Sequence, residues 1–106
     1  MGNLSIERIK GQVNAAVRAY NAEASMPDCI SQVSLFGSYA DGRANDCSDV
    51  DLLVRFQSPV VSLITLGRVL DLLERALGVS VDVVQDPLPE GSLLQITKVV
   101  PLYEGA

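Results

Sequence analysis

The spacing of hydrophobic positions changes several times along the chain, and each change marks an element. Over residues 5–22, SIERIKGQVNAAVRAYNA, the positions Ile6, Ile9, Val13, Val17 and Tyr20 recur at steps of three and four. That spacing lays one apolar stripe along a helix. Gly11 weakens the helix by about 1 kcal/mol relative to alanine, and Met26-Pro27-Asp28 breaks the pattern. Residues 30–36, ISQVSLF, are partly β-branched and bounded by turn formers, which predicts a strand. Gly37-Ser38 follows, then a stretch from Tyr39 to Asp41 with room for one or two helical turns, then a polar loop from Gly42 to Ser48. Residues 49–56, DVDLLVRF, alternate so that Val50, Leu52 and Val54 share one face of a second strand.

Helical spacing returns over residues 61–77, at Leu63, Leu66, Val69, Leu70, Leu73 and Leu77, and Gly78 supplies a C-terminal cap. Residues 79–84, VSVDVV, predict a third strand with Val79, Val81 and Val83 on one side. Asp86-Pro87 and Pro89 make a break, residues 92–100 are expected to form a last short helix, and 101-PLYEG-105 closes the chain. The order helix, strand, short helix, strand, helix, strand, helix predicts an α/β (α+β) fold. Its small mixed sheet is flanked by helices within a single domain over residues 1–106.

Composition adds a surface to this core. The chain has 106 residues, 48% of them hydrophobic and 20% charged, with a slightly positive mean hydropathy. That is more apolar material than one small core needs, so an exposed apolar patch and a partner are expected. The net charge is −5, and the 8 basic residues are scattered singly. Without clustered Lys and Arg, direct contact with a nucleic-acid backbone is not expected, and a basic protein partner suits the surface better. There is no histidine, which excludes histidine-based triads and the usual zinc sites. Cys29 and Cys47 lie outside any C-x-x-C pattern and read as free thiols of a reducing compartment. No apolar run reaches membrane-spanning length and no signal core is visible, so a soluble, cytoplasmic protein is expected.

The chemistry concentrates in 36-FGSYADGRANDCSDVDLLV-54. Asp49 and Asp51, two apart on a strand, project to the same side, where like charges repel and lose solvation. A divalent cation removes both penalties, and a ligand set of oxygens alone suits Mg²⁺ or Mn²⁺. Asp82, between valines in mid-strand, is unfavourable there without a partner. If its strand lies beside 49–56, it reaches the same metal pair. Three carboxylates plus substrate phosphates are the recurring ligand set of two-metal phosphoryl and nucleotidyl transfer. Gly37 lets backbone N–H groups approach an anion, and the Ser38 hydroxyl adds a donor. Taken singly, Gly-Ser is an ordinary turn, D-x-D a strand-edge feature and Asp82 a salt-bridge partner. The weight lies in the combination G-S-x10-D-x-D followed by LLV.

This stretch resembles the signature of the DNA polymerase β-like nucleotidyltransferase superfamily. Within it, the chain is most similar to the minimal nucleotidyltransferases, antitoxins paired with HEPN-domain toxins. The resemblance implies that Gly37 and Ser38 hold a nucleoside triphosphate, with Asp49 and Asp51 binding two Mg²⁺ ions. Asp82 would complete the second metal site and help deprotonate the acceptor hydroxyl. It further implies transfer of AMP from ATP to a tyrosine of a cognate HEPN ribonuclease toxin, within a hetero-oligomer. Family signatures often carry arginines after the Gly-Ser, as in GSRARGEA, where this chain has Tyr39 and Asp41. Arg43 is the nearest arginine and the candidate substitute phosphate contact. Two other readings stand beside this one: an antitoxin that acts by occluding its toxin, and a small-molecule nucleotidyltransferase resembling the aminoglycoside-modifying enzymes.

Overall fold

Helix α1 (Ile6–Glu23) starts where the Ser5 hydroxyl accepts a hydrogen bond from the Arg8 backbone N–H at 3.1 Å, an N-terminal cap. In the computed structural model, residues 5–25, 28–43, 49–58, 60–86 and 99–105 are described. After α1 come β1 (Ile30–Phe36), α2 (Gly37–Asp41), β2 (Val50–Phe56), α3 (Leu63–Leu77), β3 (Val81–Asp86) and β4 (Val100–Glu104). The strands form one sheet in the order β3-β2-β1-β4. β1 runs antiparallel to both β2 and β4, while β2 and β3 are parallel, and α3 makes the crossover that a parallel pair requires.

Alternation along the strands divides the sheet into two faces. Val33, Leu35, Val50, Leu52, Val54 and Val81 are buried in one core with Ile9, Val13 and Val17 of α1 and Val69, Leu73 and Leu77 of α3. Residues of opposite parity, Asp51 and Asp82 among them, therefore belong to the face away from these helices. The predicted stripe of α1 is present at Ile9, Val13 and Val17, whereas Ile6 is exposed. Leu52 is fully buried in the central strand β2. Leu52→Ala is expected to cost about 2–5 kcal/mol of stability, measured by urea unfolding.

Two expectations need correction. The helix predicted over 92–100 does not hold at its end, because Val100 lies in β4; residues 92–98 fall outside those described. Pro101 lies within β4, and proline is tolerated on an edge strand. A register shift between Val33 and Ser34 fits β4 onto the free side of β1, and Leu102 is buried there. The third strand is Val81–Asp86 rather than 79–84. Val79 and Ser80 follow the Gly78 cap as a connection, with the Ser80 carbonyl accepting from the Val50 N–H at 3.0 Å.

Asparagines fasten α1 to the sheet. The Asn14 amide donates to the Leu102 carbonyl at 2.6 Å, and Asn21 both donates to the Ile30 carbonyl at 2.9 Å and accepts from its N–H at 2.8 Å. Cys29 is a free thiol; Cys47 lies outside the described residues. The expected apolar patch is present at the start of α3, where Val60, Leu63 and Ile64 are 79%, 84% and 71% exposed. Among the described residues no helix is long and apolar enough to cross a membrane.

Candidate active site

The face away from α1 and α3 gathers predicted residues at one end of the two central strands. β1 ends at Phe36, whose register partner is Asp51. The next residue, Gly37, turns the chain into α2 with φ +75°. A Cβ at Gly37 would overlap the Asp51 carboxylate, with the carboxylate carbon only 3.0 Å away. Glycine is required here twice over, by its left-handed backbone and by this close approach.

Across the parallel pair, Asp51 lies in register with Asp82. The adjacency on which the reading of Asp82 depended is therefore present. Asp49, expected inside the strand 49–56, instead lies just ahead of β2, which pairs from Val50 onward, and is exposed; Asp51 is half-buried and Asp82 exposed. Burial pushes the Asp51 carboxyl above its ordinary value of 3.8. The charges of Asp82 and then Asp49 push it further, as does a side-chain hydrogen bond with Asp82. Each influence acts upward, so the cluster is short of positive charge.

That shortage bears on a metal. Three hard carboxylates without imidazole or thiolate are the donor set that Mg²⁺ or Mn²⁺ takes. Among the described residues no three acidic, histidine or cysteine side chains are already drawn together around one point. Asp51 and Asp82 instead share a hydrogen bond, with the Asp49 charge close by. A dication is the electrostatic complement of such a cluster, and the residues present fit it.

The remaining predicted residues sit along α2. Ser38 is half-buried next to Gly37, and its carbonyl accepts the Arg43 N–H at 2.9 Å where Gly42 ends the helix. Tyr39 is buried in the hydrophobic core, as is Ala40. The tyrosine at a position where related signatures carry arginine thus serves packing. The Arg43 guanidinium pairs with Asp41 at 2.8 Å, with the arginine side chain 75% exposed. The structure brings Gly37, Asp51 and Asp82 together with the Asp49 charge nearby, and leaves Arg43 held by Asp41. Sequence reasoning did not anticipate this ion pair, although opposite charges on either side of one glycine were its visible signal.

A cleft of about 390 Å³ lies on the helical side, between α1 and α3, lined by Tyr20, Glu23, Arg68 and Arg75 among others. It is separate from the carboxylates. Tyr20 there donates to the Asp28 carbonyl at 2.7 Å, and burial raises its pKa, which marks a structural phenol.

Residues 19–101 match the nucleotidyltransferase domain family. The chain is 33% identical over 84 residues to the protein adenylyltransferase MntA of Thermococcus cleftensis, a span of 79% of this chain and 80% of that protein. Among solved structures, one described as a minimal nucleotidyltransferase is 32% identical, with a TM-score of 0.62 over 83% of this chain and 85% of its own. Another is the tri-AMPylated Shewanella oneidensis HEPN toxin in complex with MNT antitoxin, at 21% identity and a TM-score of 0.61. That match covers 92% of this chain and 73% of the other, and at such identity the likeness is one of fold.

Proposed function

Because the chain belongs to the nucleotidyltransferase domain family, and is thus a nucleotidyltransferase, we propose that it moves AMP from ATP onto a tyrosine of a HEPN ribonuclease toxin and so acts as that toxin's antitoxin. The observation that carries this reading is the in-register pair Asp51 and Asp82, with Asp49 adjacent and Gly37 against the Asp51 carboxylate. The relative from Thermococcus cleftensis is a protein adenylyltransferase, and the Shewanella oneidensis MNT antitoxin is found with an AMPylated HEPN toxin. Both lend support to a protein acceptor.

In this reading the Gly37 backbone and the Ser38 hydroxyl donate hydrogen bonds to the triphosphate. Asp49, Asp51 and Asp82 would hold Mg²⁺, with a second ion alongside, and the metal when bound neutralises phosphate charge. The tyrosine oxygen forms a bond to the α-phosphorus, the bond to the bridging oxygen breaks, and pyrophosphate leaves. Asp82, an exposed carboxylate, takes the phenolic proton. Incubation with labelled ATP, Mg²⁺ and the toxin is expected to label the toxin, and Asp49→Ala to abolish the label. Equal labelling by wild type and variant, or none by either, would refute the proposal.

Metal binding has a readout independent of transfer. Mg²⁺ in excess of its dissociation constant is expected to raise the thermal midpoint of the wild type. The rise should be lost in Asp51→Asn, as measured by differential scanning fluorimetry.

The exposed Val60, Leu63 and Ile64 favour a second reading, in which binding alone silences the toxin. An Asp49→Ala, Asp51→Ala double variant would then still protect cells expressing the toxin. Loss of protection rules that reading out.

A further inference from the structure

Arg43 and Asp41 form an exposed ion pair, 2.8 Å from Nη2 to Oδ2, with the two side chains 75% and 24% exposed. Pairs of this kind contribute little to stability, so they exchange partners at low cost. The location of this one matters. The Arg43 N–H is bonded to the carbonyl of Ser38 at 2.9 Å, and Ser38 follows the glycine that touches the Asp51 carboxylate. The closing turn of α2 thus ties the arginine backbone to the residue next to the acidic cluster. Asp41 sits on the last turn of the same five-residue helix, beside the core residues Tyr39 and Ala40, which leave it little freedom to follow the arginine elsewhere.

We infer that Asp41 is a positioning residue which holds Arg43 as a built-in counterion, and that the arginine exchanges this carboxylate for the triphosphate when nucleotide binds. The inference rests on the proposed nucleotide site and adds a residue that sets its affinity. A guanidinium recognises phosphate oxygens with the same N–H donors that it offers a carboxylate. Nucleotide that binds through Nη2 therefore competes with Asp41 for that donor. The observed affinity is lowered by the fraction of time that the arginine is occupied.

Four forms of the chain test this: wild type, Asp41→Asn, Arg43→Ala and the double variant. Binding of ATP and of adenosine is measured by equilibrium dialysis with Mg²⁺ at about 0.15 M salt, where through-space charge effects are damped. Arg43→Ala is expected to weaken ATP binding about tenfold. Asp41→Asn is expected to tighten it about two- to fivefold, an effect that falls on KM for ATP rather than on kcat. In the Arg43→Ala background, Asp41→Asn is expected to change nothing, and adenosine binds all four alike. Circular dichroism checks that each variant keeps its fold, and Arg43→Lys is expected to recover part of the ATP affinity as a point charge.

An equal gain from Asp41→Asn in both backgrounds would mean that Asp41 acts by its own charge, and would overturn the inference. So would a parallel change in adenosine affinity, or full ATP affinity in Arg43→Ala. A wild type that binds no ATP removes the nucleotide site and this inference together. A wild type that binds ATP, with variants that match it, removes the inference alone.

Discussion

Asp51→Asn is expected to reduce nucleotidyl transfer by on the order of a hundredfold to a thousandfold, the range seen when one preorganised electrostatic group is lost from a reacting site. The same substitution is expected to make the metal-free protein more stable. Asp51 is half-buried beside Asp82 and Asp49, and its pKa is raised above 3.8 by burial and by those two charges. The folded chain therefore holds that proton more tightly than the unfolded chain does. Stability falls as pH rises from 3.8 through the raised folded value, and stays lower above it. Asparagine has the shape of the protonated acid and cannot ionise. The thermal midpoint of the variant should match wild type in acid and exceed it at neutral pH, with the gap opening across that window. Melts at a series of pH values in metal-free buffer, paired with a transfer assay, measure both effects. A variant that is less stable than wild type at neutral pH would show that the carboxylate is held by attraction rather than strained by repulsion.

Gly37→Ala is expected to damage both fold and transfer. Alanine at φ +75° costs about 1–2 kcal/mol in backbone conformation alone. Its Cβ must also displace the Asp51 carboxylate, which moves the group most responsible for the site. Gly78, at φ +71°, provides the control, because a Cβ there meets nothing within 4 Å. Gly78→Ala should carry the conformational cost and leave transfer intact, whereas Gly37→Ala should lose at least about tenfold in transfer, on the scale at which small misplacements of reacting groups are felt. Urea unfolding and the transfer assay on both variants separate the two contributions. Equal transfer by both would show that Asp51 tolerates the intrusion.

Much of this fold was legible because its apolar periods are clean. The three- and four-step stripes of α1 and α3, except Ile6 and Leu63 at their starts, and the alternation of Val50, Leu52 and Val54 mark faces that the structure buries. Boundaries were harder. The valines at 79, 81 and 83 continue one alternation across a turn and a strand, so their spacing does not show where pairing with β2 begins. β4 was hidden by Pro101, whose missing N–H matters only when a neighbour needs it. Residue types alone pointed to the acidic cluster, while its register had to come from the parallel pairing of Asp51 with Asp82, which depends on how α3 returns the chain. The environment of α2 was the least readable. Tyr39 fills the core and Asp41 binds Arg43, and only three-dimensional packing makes that choice.

The strand order also governs synthesis. β1 gains its second neighbour only from residues 100–104, and the Asn14 amide finds the Leu102 carbonyl across 88 positions of sequence. On the ribosome, the stretch from Phe36 to Asp82 is made before that partner. Until then β1 carries an open edge, the kind of surface that recruits other chains or proteases. A translation product interrupted before Val100 would thus contain every acidic residue of the site and still present the unpaired edge of β1.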